Sequence, residues 1–160
     1  MKKIALILLF YTMLIEAKTQ DFKETKFVEA LELYTYRDAN ISYDGTKTIV
    51  KYRDGKTITK VDNNLTVHND KNELLTTIDL TKKLEIALYF RLTKALFSKN
   101  FDSLKENFEI EQKDKKYKFI PIDDTKEVVL DIELSLDEDD SVEFFIINFT
   151  NKDSITIEAK

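Results

Sequence analysis

The chain of 160 residues has no cysteine and no tryptophan, a single proline (Pro121), two glycines (Gly45 and Gly55) and a single histidine (His68). Without cysteine there is no disulfide framework, no thiolate metal site and no thiol nucleophile. Proline and glycine are too scarce to mark a linker, and a glycine-rich phosphate loop is absent, so one domain is expected and nucleotide-phosphate cradling is excluded. A Ser-His-Asp arrangement would have to use His68, yet no Gly-x-Ser-x-Gly turn accompanies it. His68 is therefore expected on a strand, facing solvent. The 25 basic and 30 acidic side chains are interspersed, without the basic stripe that nucleic-acid binding requires. The four acidic residues of 137–140 lack the glycine-centred spacing of a calcium loop and read as a solvated hairpin end. No metal, no cofactor and no enzymatic activity are expected; with so many acidic side chains a pair of carboxylates for glycoside hydrolysis stays open, because sequence cannot set their separation.

What is present begins with an export signature. Met1-Lys2-Lys3 is basic, 4–15 is a largely apolar run, and Ala17 offers a small residue before polar Lys18-Thr19-Gln20. The run is well short of the roughly 20 apolar residues that cross a bilayer, so 1–17 is expected to be a cleaved signal peptide and 18–160 the mature domain, working in the periplasm. The absent cysteine also argues against a lipid-modified N-terminus, so the mature chain is expected to be soluble. At this length it is able to bury a core without staples.

After the export segment, period-2 alternation dominates. Asp44-Gly45 and Asp54-Gly55 are hairpin-turn dipeptides, and between them Thr48, Val50 and Tyr52 share one face of a strand while Lys47, Ile49 and Lys51 share the other. The pattern continues through 56–62, 65–69 and 73–78, with Asp62-Asn63-Asn64 as a turn, which describes a meander. The period then changes. Leu80, Leu84, Ala87, Leu88, Leu92, Ala95 and Leu96 fall at helical spacing, Asp79 is a fair N-cap, and Phe101, Leu104 and Phe108 suggest a further helical turn. Strands resume over 109–113, 117–122, 127–136, 142–150 and 154–158. Simple alternation places Val128, Leu130, Ile132, Leu134 and Leu136 on one face, and Val142, Phe144 and Ile146 on one face of the next strand.

About ten short strands and one helix of about 25 Å cannot make a flat covered sheet, because a wide twisted sheet curls and its apolar face needs a cover. The architecture expected is mainly β with α: an open, curved antiparallel half-barrel with the helix across its concave side. Such a shape leaves an apolar cavity between sheet and helix. Its expected lining is Val50 and Tyr52 from the early strands, Leu84, Leu88 and Leu92 from the helix, and Phe119, Phe144 and Ile146 from the later strands; ordinary core packing is the competing role for each.

Several stretches resemble the periplasmic outer-membrane lipoprotein carrier family (LolA-like). They are Phe22-Lys23-Glu24-Thr25-Lys26, Ile41-Ser42-Tyr43, Thr48-Ile49-Val50-Lys51-Tyr52, Lys94-Ala95-Leu96-Phe97, the segment 100–108, Tyr117-Lys118-Phe119-Ile120-Pro121 and the closing segment 149–157. The resemblance covers the mature chain as a pattern. It implies an eleven-stranded, incompletely closed barrel with a helical lid, which takes acyl chains of outer-membrane lipoproteins from an inner-membrane releasing transporter and passes them to an outer-membrane acceptor, as a monomer. The family's Arg-Pro step on an early strand would fall near 44–47, where this chain has neither residue, so no gating residue is carried over to Arg37 or Arg53. The alternative from another class is an envelope sensor or protein-interaction module with the same shape.

Overall fold

The computed structural model describes residues 18–160; the export segment expected over 1–17 lies outside the described residues. The chain forms one antiparallel sheet of eleven strands, ordered β6-β5-β4-β3-β2-β1-β11-β10-β9-β8-β7. The first six are β1 (Lys18–Val28), β2 (Leu33–Tyr43), β3 (Lys47–Tyr52), β4 (Thr57–Val61), β5 (Asn64–His68) and β6 (Leu74–Asp79). The remaining five are β7 (Phe108–Lys113), β8 (Lys116–Pro121), β9 (Val129–Leu136), β10 (Val142–Phe149) and β11 (Ser154–Ala159). Each half is a meander, as the local alternation predicts. The halves meet where β1 pairs β11, from Phe22 opposite Ala159 to Phe27 opposite Ser154.

This order explains the helix. The first meander ends at one edge of the sheet, β6, and the second begins at the opposite edge, β7, so the chain must cross the whole sheet between them. Helix α1 (Leu84–Ser98) makes that crossing over the concave face; its 15 residues span about 22 Å at 1.5 Å per residue. The expected start at 80 is corrected in detail. Leu80–Lys82 forms a 3-10 turn whose Thr81 N–H donates to the Asp79 side chain at 3.0 Å, and α1 begins after Lys83 without a side-chain cap. The C-terminal end of α1 is tied down, because the Lys18 ammonium donates to the Phe97 carbonyl at 2.8 Å, a cation at the negative end of the helix dipole.

The tight turns follow their residues. Gly45 and Gly55 sit at φ 93 and 88, a region that L side chains enter only with strain. A side chain at Gly55 would also put its Cβ 2.5 Å from that of Asp70.

The core is lopsided. On the helix, Leu88, Leu92, Ala95 and Leu96 are buried in the same core as Phe119, Ile132, Phe145, Ile147 and Ile157 of β8–β11, which are at most 2% exposed. Among the early strands Phe22, Ile41, Val50 and Leu65 are equally buried, and only the inward Ile58, Val67 and Ile78 of β4, β5 and β6 are half-buried.

Two bulges overturn the simple alternation in β9 and β10. Val142 lies opposite Leu136 but Phe144 lies opposite Ser135, so Glu143 is an extra residue; at the other end Asn148 faces Asp131 and Phe149 faces Val129, so Leu130 is extra on β9. Each extra residue reverses the parity of the strand beyond it. Phe145 and Ile147 consequently point into the core, while Leu130 is 62% exposed on the outside.

Candidate functional site

Between the N-terminal half of α1 and the inner face of β1–β6 lies a cavity of about 370 Å³. One wall is apolar: Val50, Ile58, Leu65, Val67 and Ile78 from the sheet, faced by Ile86 and Phe90 from the helix. The opposite rim is formed by Phe149 and Ile155 with Asn151 and Asp153. The register makes the apolar wall contiguous, since Val50 opposes Ile41 and Ile58, and Ile58 opposes Val67.

Set into this wall is a polar group drawn from β1, β2, β3 and the helix. Glu24 of β1 lies directly opposite Arg37 of β2. The Tyr52 hydroxyl donates to the Glu24 carboxylate at 3.1 Å, and the Arg37 guanidinium stands over the Tyr52 ring, 5.3 Å from its centroid. Burial pushes the Glu24 carboxyl above its ordinary value, against the opposing pull of the Tyr52 hydrogen bond, Arg37 and Lys26. Burial also raises the Tyr52 phenol, with the Glu24 charge adding to the rise. Tyr89, from the helix, completes the group. Its hydroxyl is fully enclosed and finds no hydrogen-bond partner among the described residues, and burial, then Glu24 and Tyr52, hold its phenol far above the usual range. A wider polar hollow of about 650 Å³, lined by Lys23, Tyr36, Asp38, Arg53 and Asp54, touches the same Arg37 and Tyr52 from outside. The two therefore stand between the hollow and the cavity.

Of the lining expected from sequence, Val50 and Tyr52 are on the cavity wall. Leu88, Leu92 and Phe119 are instead packed in the core away from the cavity, at 1%, 2% and 0% exposure. Leu84 opens the helix at 39% exposure and is not on the cavity wall. Phe144 and Ile146 are on the outer face of β10, the extra residue at Glu143 having turned them outward; Phe144 lies beside Lys116 and Lys118 there. Sequence reasoning missed Ile58 and Val67, although Ile58 pairs Val50 across the three-residue turn 53–55 and Val67 pairs Ile58 across the two-residue turn 62–63, which puts all three on one face. It also missed Glu24 and Arg37, because a polar side chain on a strand reads as outward, and Tyr89, which lies off the apolar stripe counted along the helix.

Among the described residues no group of three or more His, Asp or Glu side chains is placed to hold a metal ion, and no described helix is long and apolar enough to cross a membrane. His68 lies in β5 opposite Thr57, with no acidic or nucleophilic side chain among the described residues hydrogen-bonded to it. No family model and no curated protein matches the sequence. Among solved structures, a Vibrio parahaemolyticus domain named for outer membrane lipoprotein sorting superposes at a TM-score of 0.39 with 8% identity, over 90% of this chain and 83% of that one.

Proposed function

We propose that this protein is a non-enzymatic carrier of acyl chains in the cell envelope, holding the hydrocarbon of outer-membrane lipoproteins in the space between sheet and helix while it moves between an inner-membrane releasing transporter and an outer-membrane acceptor. The observation that supports this reading is the lopsided core. The core is tightly filled around β8–β11, where Phe119, Ile132, Ile147 and Ile157 are fully buried, while half-buried Ile58, Val67, Ile78 and Ile86 border about 370 Å³ of open space with an apolar wall.

The size is suited to hydrocarbon. At about 30 Å³ for each water-sized group, the space takes roughly a dozen methylenes. At about 0.8 kcal/mol per buried CH₂ such a chain gains roughly 10 kcal/mol on leaving water, before ordering costs. That is enough to keep a chain out of water, and comparable to what a bilayer offers for the same segment. Transfer onward then needs only a small difference in affinity, and no covalent step.

Co-purification tests the proposal. The mature chain, recovered from an envelope extract and analysed by native mass spectrometry, is expected to carry acylated cargo, and a fluorescent fatty-acyl probe is expected to bind saturably and to be displaced by that cargo. An empty protein that binds no acyl probe refutes it. A second reading, an envelope protein-interaction module, is favoured by one observation: the β1–β2 hairpin exposes Leu31, Leu33, Tyr34 and Tyr36 at 69%, 47%, 54% and 61%. Loss of a protein partner on substituting Tyr34 and Tyr36, with acyl binding absent, would select that reading.

A further inference from the structure

Chain burial accounts for the apolar wall but not for the carboxylate set beside it. Glu24 is half-buried and lines the cavity, where burial disfavours its charge. A glutamine would fill the same space without that penalty. The carboxylate is also short of partners. Its Oε2 accepts from the Tyr52 hydroxyl at 3.1 Å, while Oε1 accepts no hydrogen bond among the described residues. No Lys or Arg nitrogen of the described residues comes within 4.0 Å of either oxygen. Arg37, directly opposite on β2, does not fill that role, because its guanidinium stands over the Tyr52 ring at 5.3 Å from the centroid. Lys26, two residues further along β1, is exposed.

We propose that Glu24 is the counter-ion of a ligand ammonium, and that the cavity takes a hydrocarbon chain carrying a primary ammonium head. This deepens the carrier reading and rests on it. The ligand N–H donates to Oε1, while the Tyr52 hydroxyl donates to Oε2 and holds the carboxylate in place. A hydrogen bond between two charged groups is shorter and stronger than one between neutral groups. The chain itself lies on the apolar wall of Val50, Ile58, Val67 and Ile78, and a few polar groups beside such a wall fix the orientation and identity of a ligand.

The charge balance around the cavity favours the same head. Among its lining residues Glu24, Glu85 and Asp153 outnumber Lys26 and Arg37, so the enclosure is net negative before a ligand enters. A fatty-acid carboxylate would add a further negative charge in a poorly screened space, whereas an ammonium neutralises the excess. Coulomb attraction is strongest at contact, and the contact position on Glu24 is one that no cation of the described residues occupies. Two sources present this chemistry: an acylated polypeptide whose N-terminal amine is free, and a lipid with an amine head.

Displacement of a bound fluorescent acyl probe with a neutral head tests this on the mature chain, using dodecylamine, dodecanol and laurate, which share one chain length. Each is kept below its micelle concentration, near neutral pH and at physiological salt, which screens attraction to the chain's acidic surface. Dodecylamine is expected to displace the probe about tenfold more tightly than dodecanol, and laurate about tenfold more weakly, the effect of one charge-assisted hydrogen bond and its like-charge counterpart. Glu24→Gln is expected to bring dodecylamine to the level of dodecanol while leaving dodecanol and the probe unchanged. Glu133→Gln removes the same charge from an exposed position on β9 and is expected to leave all three ligands within about threefold. The melting temperature of Glu24→Gln without ligand is expected to stay level or rise, whereas a purely structural pairing of Glu24 with Arg37 across the strands predicts a fall. Native mass spectrometry of the cargo that the chain carries separates the two sources, since a free-amine polypeptide and an amine-headed lipid differ in mass. Equal binding of the three heads, an ammonium preference that survives Glu24→Gln, a lower melting temperature for that variant, or cargo whose head amine is acylated overturns the ammonium site while leaving the carrier reading intact. Failure of the acyl probe itself to bind the unmodified protein overturns both.

Discussion

Replacing Val67 with phenylalanine asks whether the space beneath α1 is open or closely filled. Val67 is half-buried on β5 and faces the cavity. The larger side chain carries about four more carbons into that space, and at roughly 0.8 kcal/mol for each such group removed from water the gain is at most about 3 kcal/mol. Ordering the ring costs about 0.5–1 kcal/mol, so a net stabilisation of about 1–2 kcal/mol is expected, which raises the melting temperature by about 2–8 °C for a chain of this size. Were the site already full, the same ring would overpack it and destabilise by about 1–3 kcal/mol, so the sign of the change decides the matter. The ring would also occupy about a third of the cavity at about 30 Å³ per carbon. In a displacement series of acyl chains the preferred length should then shorten by about four carbons. Thermal unfolding without ligand gives the first quantity and the displacement series gives the second. A lower melting temperature together with an unchanged length preference would refute the open cavity.

The bulge at Glu143 predicts opposite fates for adjacent residues: Phe145→Ala, from 2% exposure, is expected to cost about 3–5 kcal/mol, and Phe144→Ala on the outer face under about 1 kcal/mol, measured by urea unfolding. Equal losses would mean the register is wrong. Because burial raises the Glu24 carboxyl, the folded chain binds more protons than the unfolded one between the ordinary value of 4.5 and the raised value. Stability from this group therefore falls as pH climbs through the folded pKa, and the penalty is absent below the unfolded value. Glu24→Gln removes that limb, so the variant should gain on the natural protein as pH rises; parallel stability profiles across that window would count against the buried charge. Gly55→Ala, at φ 88 and with its Cβ 2.5 Å from Asp70, is expected to destabilise by more than about 1 kcal/mol, and an unchanged unfolding midpoint would show that the turn relaxes freely.

Much of the architecture was legible because it is local. Asp44-Gly45 and Asp54-Gly55 turn the chain where the structure turns it, and the face shared by Thr48, Val50 and Tyr52 is the inner face. The switch to a 3.6 period after Asp79 marks α1 to within one turn. Ile58 and Val67 were within reach of the same reasoning, since the short turns at 53–55 and 62–63 put both directly in line with Val50. Phe144 and Ile146 were not, because one inserted residue in a ladder is invisible to a pattern that counts by twos.

Sequence by itself determined the meander from β3 to β6, the strands of the later half, the helix between them and the inward face of β3, since each depends on side chains a few positions apart. Tertiary structure alone decided that β1 would pair β11, which sends α1 across the concave face from one sheet edge to the other. That path leaves an open space between the N-terminal half of α1 and the early strands, so the place of the cavity, and the gathering of Glu24, Arg37, Tyr52 and Tyr89 around it, come from contacts between residues far apart in the chain.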